Sequence, residues 1–348
     1  MYTSLAFSNF RSIDLLKIEN LSTINLFFGK NNCGKTTVLE SIFLLSGMNN
    51  PDLFRRCNIF RSYKHIKDFR FFFHNLNTNN TIVLKSSGDT SIYNRKSEIS
   101  FSEELVKKVI SEKENSNTTL NTFSTAEALN IKTTLAKTER FDTKITLSTI
   151  KNQESALLKI PAKYKEQISC TYLPPNISFE TIPPMVKEVL QDKKETVVID
   201  ALKQIDDRIK DFVLFEDEVM VDVGLEKRIP INILGDGVRK FFTLILAIYR
   251  SKNGILLIDE IDNGLHFSTM EKLWRILLNV ATIFNVQLFI TTHNIDSLKG
   301  LKNVLASDNS LKNLVSAYKI LRKEKIHETL YYNTDSFSTV IQQENEIR

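Results

Sequence analysis

Apolar positions are unevenly spaced along this chain, and their spacing predicts its elements. Residues 2–8 and 14–20 alternate apolar with polar, the period of two half-buried strands, with Asn9-Phe10-Arg11-Ser12 between them. Ile24-Asn25-Leu26-Phe27-Phe28 is a nearly continuous apolar run, the pattern of a strand buried on both faces. Thr36 to Leu45 then sets Val38, Leu39, Ile42, Phe43 and Leu45 at helical spacing. Toward the other end, Ile255-Leu256-Leu257-Ile258 and Val286 to Thr291 are two more buried runs, with a helical pattern at 267–283 between them. SAYKILR and HETLYY read as a hairpin, followed by a short final helix to Arg348.

The middle of the chain is less regular. From about 88 to 165 it is rich in Ser, Thr, Asn, Lys and Glu with weak helical patterning, which predicts an inserted, partly helical lobe with mobile loops. It lacks sustained apolar heptads, so no long coiled-coil arm is expected. Pro174-Pro175 and Pro183-Pro184 punctuate its exit, and residues 185–213 read as helices. The boundaries this suggests are 1–80, an insertion over 81–228, and 229–348. Strands alternating with helices at both ends predict an α/β fold with a mainly parallel sheet and an antiparallel N-terminal part, its ligand at the carboxyl ends of the strands.

Composition narrows the class. At 348 residues the chain can bury a large core, and 42% hydrophobic with 25% charged residues is ordinary for a globular protein. The net charge of +5 permits an acidic partner without demanding one. The three cysteines form no C-x-x-C pair, as in a reducing cytoplasm. No run of about 20 apolar residues is present, so no membrane span is expected, and the N-terminus lacks the pattern of a signal peptide.

Chemistry enters at Gly29-Lys30-Asn31-Asn32-Cys33-Gly34-Lys35-Thr36, a G-x-x-x-x-G-K-T run between the predicted buried strand and the helix. Glycines let successive N–H groups converge on phosphate oxygens, Lys35 adds a charge for the β- and γ-phosphates, and Thr36 offers a hydroxyl to Mg²⁺. The apolar strand at 255–258 ends in Asp259-Glu260. There Asp259 can support Mg²⁺ and Glu260 can polarise an attacking water. His293 ends the next strand. ATP and Mg²⁺ are the expected cofactors.

The order of these features resembles the ATP-binding-cassette (ABC) class of P-loop ATPases, and more closely its soluble RecF/OLD-like branch, the single-chain ATPases of bacterial abortive-infection and anti-phage operons. The resemblance rests on Asn9 to Ser12, the GKNNCGKTT loop, Ile233-Leu234-Gly235-Asp236-Gly237, ILLIDEIDNGLH and ITTHN, with Asn345 to Arg348 at the terminus. It covers residues 1–76 and 228–348. It implies that Gly29 to Thr37 cradle a triphosphate, that Thr36 and Asp259 hold Mg²⁺, that Glu260 is the catalytic base and that His293 senses the γ-phosphate. It also implies that Asp262 to His266 cross a dimer interface, His266 itself packing or capping. Gly235-Asp236-Gly237 departs from the Leu-Ser-Gly-Gly of transporters. It loses the serine and adds a carboxylate that would repel phosphate unless Arg239 or Lys240 pairs with it.

The resemblance therefore implies a cytoplasmic, slow Mg-ATPase that acts as sensor or scaffold subunit of an anti-phage defence system, a homodimer or higher homo-oligomer controlling a separately encoded effector such as a nuclease. The stretch after His293 is too short for the Toprim nuclease domain of OLD proteins. The alternative is a RecF-like or SMC-like ATPase of DNA repair or replication. Nucleic acid stays open because residues 51–76 set Arg55, Arg56, Arg61, Lys64, Lys67 and Arg70 among Phe54, Phe60, Tyr63, Phe69 and Phe71 to Phe73. Those same residues also fit a packed lobe with a wet basic face. A transporter subunit is disfavoured by the altered signature, and a nucleotide-gated scaffold without turnover is a further reading.

Overall fold

The computed structural model describes residues 1–63, 68–110, 120–150, 153–176, 181–323 and 326–342. Lys64, Lys67 and Asn345 to Arg348, named above, lie outside the described residues. In chain order the first strands are β1 (Tyr2–Phe10), β2 (Ile13–Ile18) and β3 (Ile24–Phe28), followed by helices α1 (Lys35–Ser46) and α2 (Asp52–Phe60). The middle holds β4 (Ile82–Gly88), β5 (Arg95–Ile110), β6 (Leu120–Leu135), β7 (Glu139–Ile150), β8 (Gln153–Lys159) and β9 (Cys170–Leu173). Then come α3 (Ile182–Gln191), α4 (Glu195–Lys203), β10 (Asp211–Phe215), β11 (Glu218–Asp222) and β12 (Ile229–Pro230). The chain closes with α5 (Asp236–Arg250), β13 (Ile255–Ile258), α6 (Met270–Ile283), β14 (Gln287–Thr292), α7 (Ile295–Ser307), β15 (Val315–Lys323), β16 (Ile326–Tyr332) and α8 (Thr334–Gln342).

The centre is a six-stranded sheet in the order β16-β15-β3-β14-β13-β9. Its neighbours pair parallel except β15 with β16, the hairpin expected from sequence. The buried runs explain this placement, because alternate residues of each strand feed opposite cores. Ile24, Leu26 and Phe28 of β3 join a core with α3 to α8, while Phe27 joins a second core with β1, β2 and α1. Leu256 and Ile258 of β13 face the first core, and Ile255 and Leu257 the second. Helix α1 lies inside that second core and is buried along nearly its whole length, which is why its apolar residues do not form one stripe.

A seven-stranded antiparallel sheet, β2-β1-β4-β5-β6-β7-β8, covers α1 from the other side. The N-terminal antiparallel part is as expected, but the weak helical patterning over 88–165 is corrected: β5 to β8 occupy it. The reason is that several core-facing positions are polar. Ser97, Thr133 and Thr143 are buried, and the hydroxyls of Thr133 and Thr143 each donate to Asn49 Oδ1 at 2.9 Å. Read as polar, these positions hide the alternation that a strand shows in sequence. Helices α3 and α4 do form in the 185–213 stretch, α3 starting earlier at Ile182, whereas residues 211–213 belong to β10. Strand β9, within the expected insertion, is an edge of the central sheet. Among the described residues no helix is long and apolar enough to cross a membrane.

Candidate functional site

The glycine loop runs from the end of β3 into α1, at the carboxyl end of the parallel sheet. Two of its glycines are required by conformation. Gly29 has φ +142° and a Cβ there would stand 2.6 Å from the Ile320 carbonyl oxygen; Gly34, the cap of α1, has φ +100°. Lys35 is buried, and its ammonium donates to the carbonyls of Gly29 (2.9 Å) and Lys30 (2.8 Å), so the loop holds its own lysine in place. Cys33 packs beneath Gly29 with a thiol pushed up by burial, a filler rather than a nucleophile.

The two acids are set by three neighbouring strands. Thr291 of β14 donates its hydroxyl hydrogen to Asp259 Oδ1 (2.5 Å), and its oxygen accepts the Glu260 N–H (2.8 Å). Tyr172 of β9 donates to Asp259 Oδ2 (3.2 Å); burial, then the Asp259 charge, holds its phenol protonated well above the usual range. Glu260 follows with φ +49°, an unusual value for a residue with a side chain, and this bend turns the chain off the sheet directly after the acids.

Loop and acids meet in one cavity of about 710 Å³. Asn31, Asn32, Gly34, Lys35, Thr36, Thr37, Asp259 and Glu260 line it. A pocket lined by a glycine loop, a buried lysine, threonine hydroxyls and two carboxylates fits a triphosphate with Mg²⁺. Among the described residues no three His, Cys, Asp or Glu side chains form a cage, so a cation here would complete its shell with water and phosphate oxygens. A bound polyphosphate would bring its own leaving group; Lys35 and Glu260 stand on the wall of the same cavity, where an ammonium could offset phosphate charge and a carboxylate could accept a proton.

Two predicted parts lie elsewhere. His293 is exposed past the end of β14 and does not line this cavity. Gly235 caps α5 with φ +94°, and Asp236 lines a separate cavity of about 280 Å³ with Asn263 and Gly264, bringing the signature-like loop beside the expected interface loop. Asp236 pairs with Arg239 at 2.8 Å, one of the two partners expected for it. Lys240 instead donates to the Asn263 carbonyl, and burial pulls its pKa down to about 8 against the opposing charges of Asp262 and Glu260. His266 caps the turn at Phe267–Thr269 through its ring nitrogen.

The sequence motifs gave no site role to two arginines, Arg11 in the Asn9–Ser12 run and Arg61. Glu40 of α1 is fully buried, and Arg11 (Nε–Oε2 2.9 Å) and Arg61 (Nε–Oε1 2.7 Å) close on it. Arg61 also donates to Thr37 Oγ1 (3.3 Å), and both arginines line the cavity. Burial lowers the Arg11 pKa, with Glu40 only partly offsetting it; for Arg61 the hydrogen bond and charge of Glu40 outweigh burial and raise it. The signal available in sequence was Glu40 itself, a carboxylate flanked by Val38, Leu39, Ile42 and Phe43.

A mainly parallel sheet with a glycine loop at the end of one central strand and paired acids at the end of another is the arrangement of a P-loop ATPase domain. Residues 24–298 match the family described as "AAA domain, putative AbiEii toxin, Type IV TA system", and the chain belongs to that family. It is 24% identical over 347 residues to an ATP/GTP phosphatase of Helicobacter pylori, covering 88% of each chain. A shorter match, 44% over 55 residues, covers 16% of this chain and 25% of Uncharacterized protein MJECL10 of Methanocaldococcus jannaschii. Among solved structures it is similar to an SMC head bound to the C-winged helix domain of ScpA (TM-score 0.49, 9% identity, 95% and 97% coverage). The SMC head of Thermotoga maritima is a second such structure (TM-score 0.46, 8% identity, 95% and 98% coverage).

Proposed function

We propose that the chain binds Mg-ATP between Gly29 to Thr37 and Asp259 and hydrolyses it with Glu260 as base. In this reading it is a cytoplasmic ATPase that pairs with a second copy through its heads and acts as the sensor or scaffold subunit of an anti-phage, abortive-infection system. It controls a separately encoded effector such as a nuclease. The observation that carries the ATPase reading is the convergence of Lys35, Thr36, Asp259 and Glu260 on one cavity. The family to which the chain belongs, with its toxin–antitoxin description, supports the defence setting. His293, exposed and outside the cavity wall, fits a γ-phosphate sensor only if it moves when nucleotide or a second copy arrives.

The reading as a DNA-acting ATPase has less support. In the 51–76 stretch Arg55 and Arg56 pair with Asp52, Arg61 with Glu40 and Arg70 with Asp68, while Phe54, Phe69, Phe72 and Phe73 are buried. These side chains favour packing over an open phosphate-binding face.

Equilibrium binding and phosphate release test the proposal. Lys35→Ala should lose ATP affinity by tenfold or more, in line with the roughly 1.5–3 kcal/mol of a hydrogen bond to a charged group. Glu260→Gln should bind ATP yet turn over about a hundredfold more slowly. Unchanged affinity and turnover in Lys35→Ala would remove the site assignment. Wild-type turnover in Glu260→Gln would remove Glu260 as base. DNA-stimulated turnover of the purified protein alone would favour the repair reading.

A further inference from the structure

His327 of β16 stands across the strand pair from Arg322 of β15. It is 4% exposed, and among the described residues neither Nδ1 nor Nε2 has a hydrogen-bond partner. An imidazole carries at least one N–H, and a buried donor without an acceptor is costly, so such a group is expected where a partner arrives from outside. The ring does not sit in a remote apolar core. It abuts the phosphate loop: a Cβ on Gly34 would lie 3.3 Å from both Cδ2 and Nε2 of His327 and 3.5 Å from Ser12 Oγ. Gly34, Ser12 and Arg322 all line the nucleotide cavity.

We propose that His327 is a further polyphosphate-binding residue, its Nε2–H donated to an oxygen of the phosphate chain, directly or through one bound water, when the Gly29–Thr36 loop is filled. This rests on the reading of that cavity as a nucleoside-triphosphate site. The glycine at 34 serves two purposes here: it permits the left-handed loop and leaves room for the ring. The charged groups facing the ring are Arg322 on β15, His74 from the turn after α2, and Asp14 on β2. Burial first, then Arg322 and His74, lower its pKa, and Asp14 opposes them. These influences disfavour the charged form of the ring, and an anionic phosphate chain beside it would oppose them.

The test compares Mg-ATP affinity and thermal unfolding without nucleotide for wild type, His327→Leu and His327→Gln. His327→Leu should bind ATP about tenfold more weakly while melting no lower than wild type. His327→Gln, which keeps an N–H donor, should fall between them. Equal ATP affinity in wild type and His327→Leu overturns the role of His327 and leaves the cavity assignment standing. A wild type that binds no ATP overturns both. Should the leucine variant not fold, ring NMR of wild type gives the answer. The His327 Cε1 signal, assigned by eliminating the other histidines, should shift with Mg-ATP and not with adenosine; an unmoved signal overturns the proposal.

Discussion

Glu40 shows how a single residue can organise a site without touching its ligand. Its carboxylate is fully buried between Arg11 and Arg61, and both arginines reach the wall of the nucleotide cavity. Removing one partner of such a group leaves uncompensated charge in a poor solvent for it. Glu40→Gln should therefore lower stability by about 3 kcal/mol, read from urea unfolding, and weaken ATP binding as Arg61 loses its anchor beside Thr37. Replacement at no measurable cost in stability would mean that the arginines find water instead. Both arginines lay in plain view in the sequence, Arg61 as a member of a basic stretch and Arg11 within the Asn9–Ser12 run. Only the fold separates Arg61, turned inward to Glu40, from Arg55 and Arg56, which pair with Asp52 on the surface of α2.

At the scale of elements, α5 is tied to the turn after β13 by Lys240, which donates to the Asn263 carbonyl. Burial depresses this lysine to about pH 8 in the folded protein, below the ordinary lysine value it has when unfolded. Between those two values the unfolded chain holds a proton that the folded protein has released, so stability rises with pH across that window; below about 8 both states are protonated. The unfolding free energy of wild type relative to Lys240→Met should accordingly increase from about pH 7 to about pH 9, measured by paired urea melts. A flat difference would show that the ammonium is as well solvated in the fold as outside it. The same scale explains which elements the pattern revealed. β3, β13 and β14 are buried on both faces, and each carries an unbroken apolar run: Leu26 to Phe28, Ile255 to Ile258 and Leu288 to Ile290. β5 to β7 present Ser97, Thr133 and Thr143 to the core instead, and their alternation disappears into a polar composition.

For the whole molecule, the phosphate-loop cavity and the cavity beside Asp236, Asn263 and Gly264 share no described lining residue. The proposed pairing of heads would bring the second cavity of one copy over the first cavity of another. Gly237 offers a clean test because a Cβ there meets nothing within 4 Å. Gly237→Trp should leave folding and ATP affinity of the single chain intact, yet reduce the ATP-dependent dimer and its turnover, followed by light scattering and phosphate release. Wild-type turnover in this variant would mean that each chain works alone.

The sequence by itself determined the phosphate loop, the paired acids and the strands that carry them, because those features are local. A glycine loop needs only its own backbone, and a strand buried on both faces must be apolar at nearly every position. Tertiary structure alone decided that Tyr172, Thr291 and Asp259 meet, that Glu40 draws Arg11 and Arg61 to the cavity, and that His327 lies unpartnered against Gly34. These contacts join residues far apart in the chain. Their energies depend on burial and on who the neighbours are, which no periodicity along the sequence records.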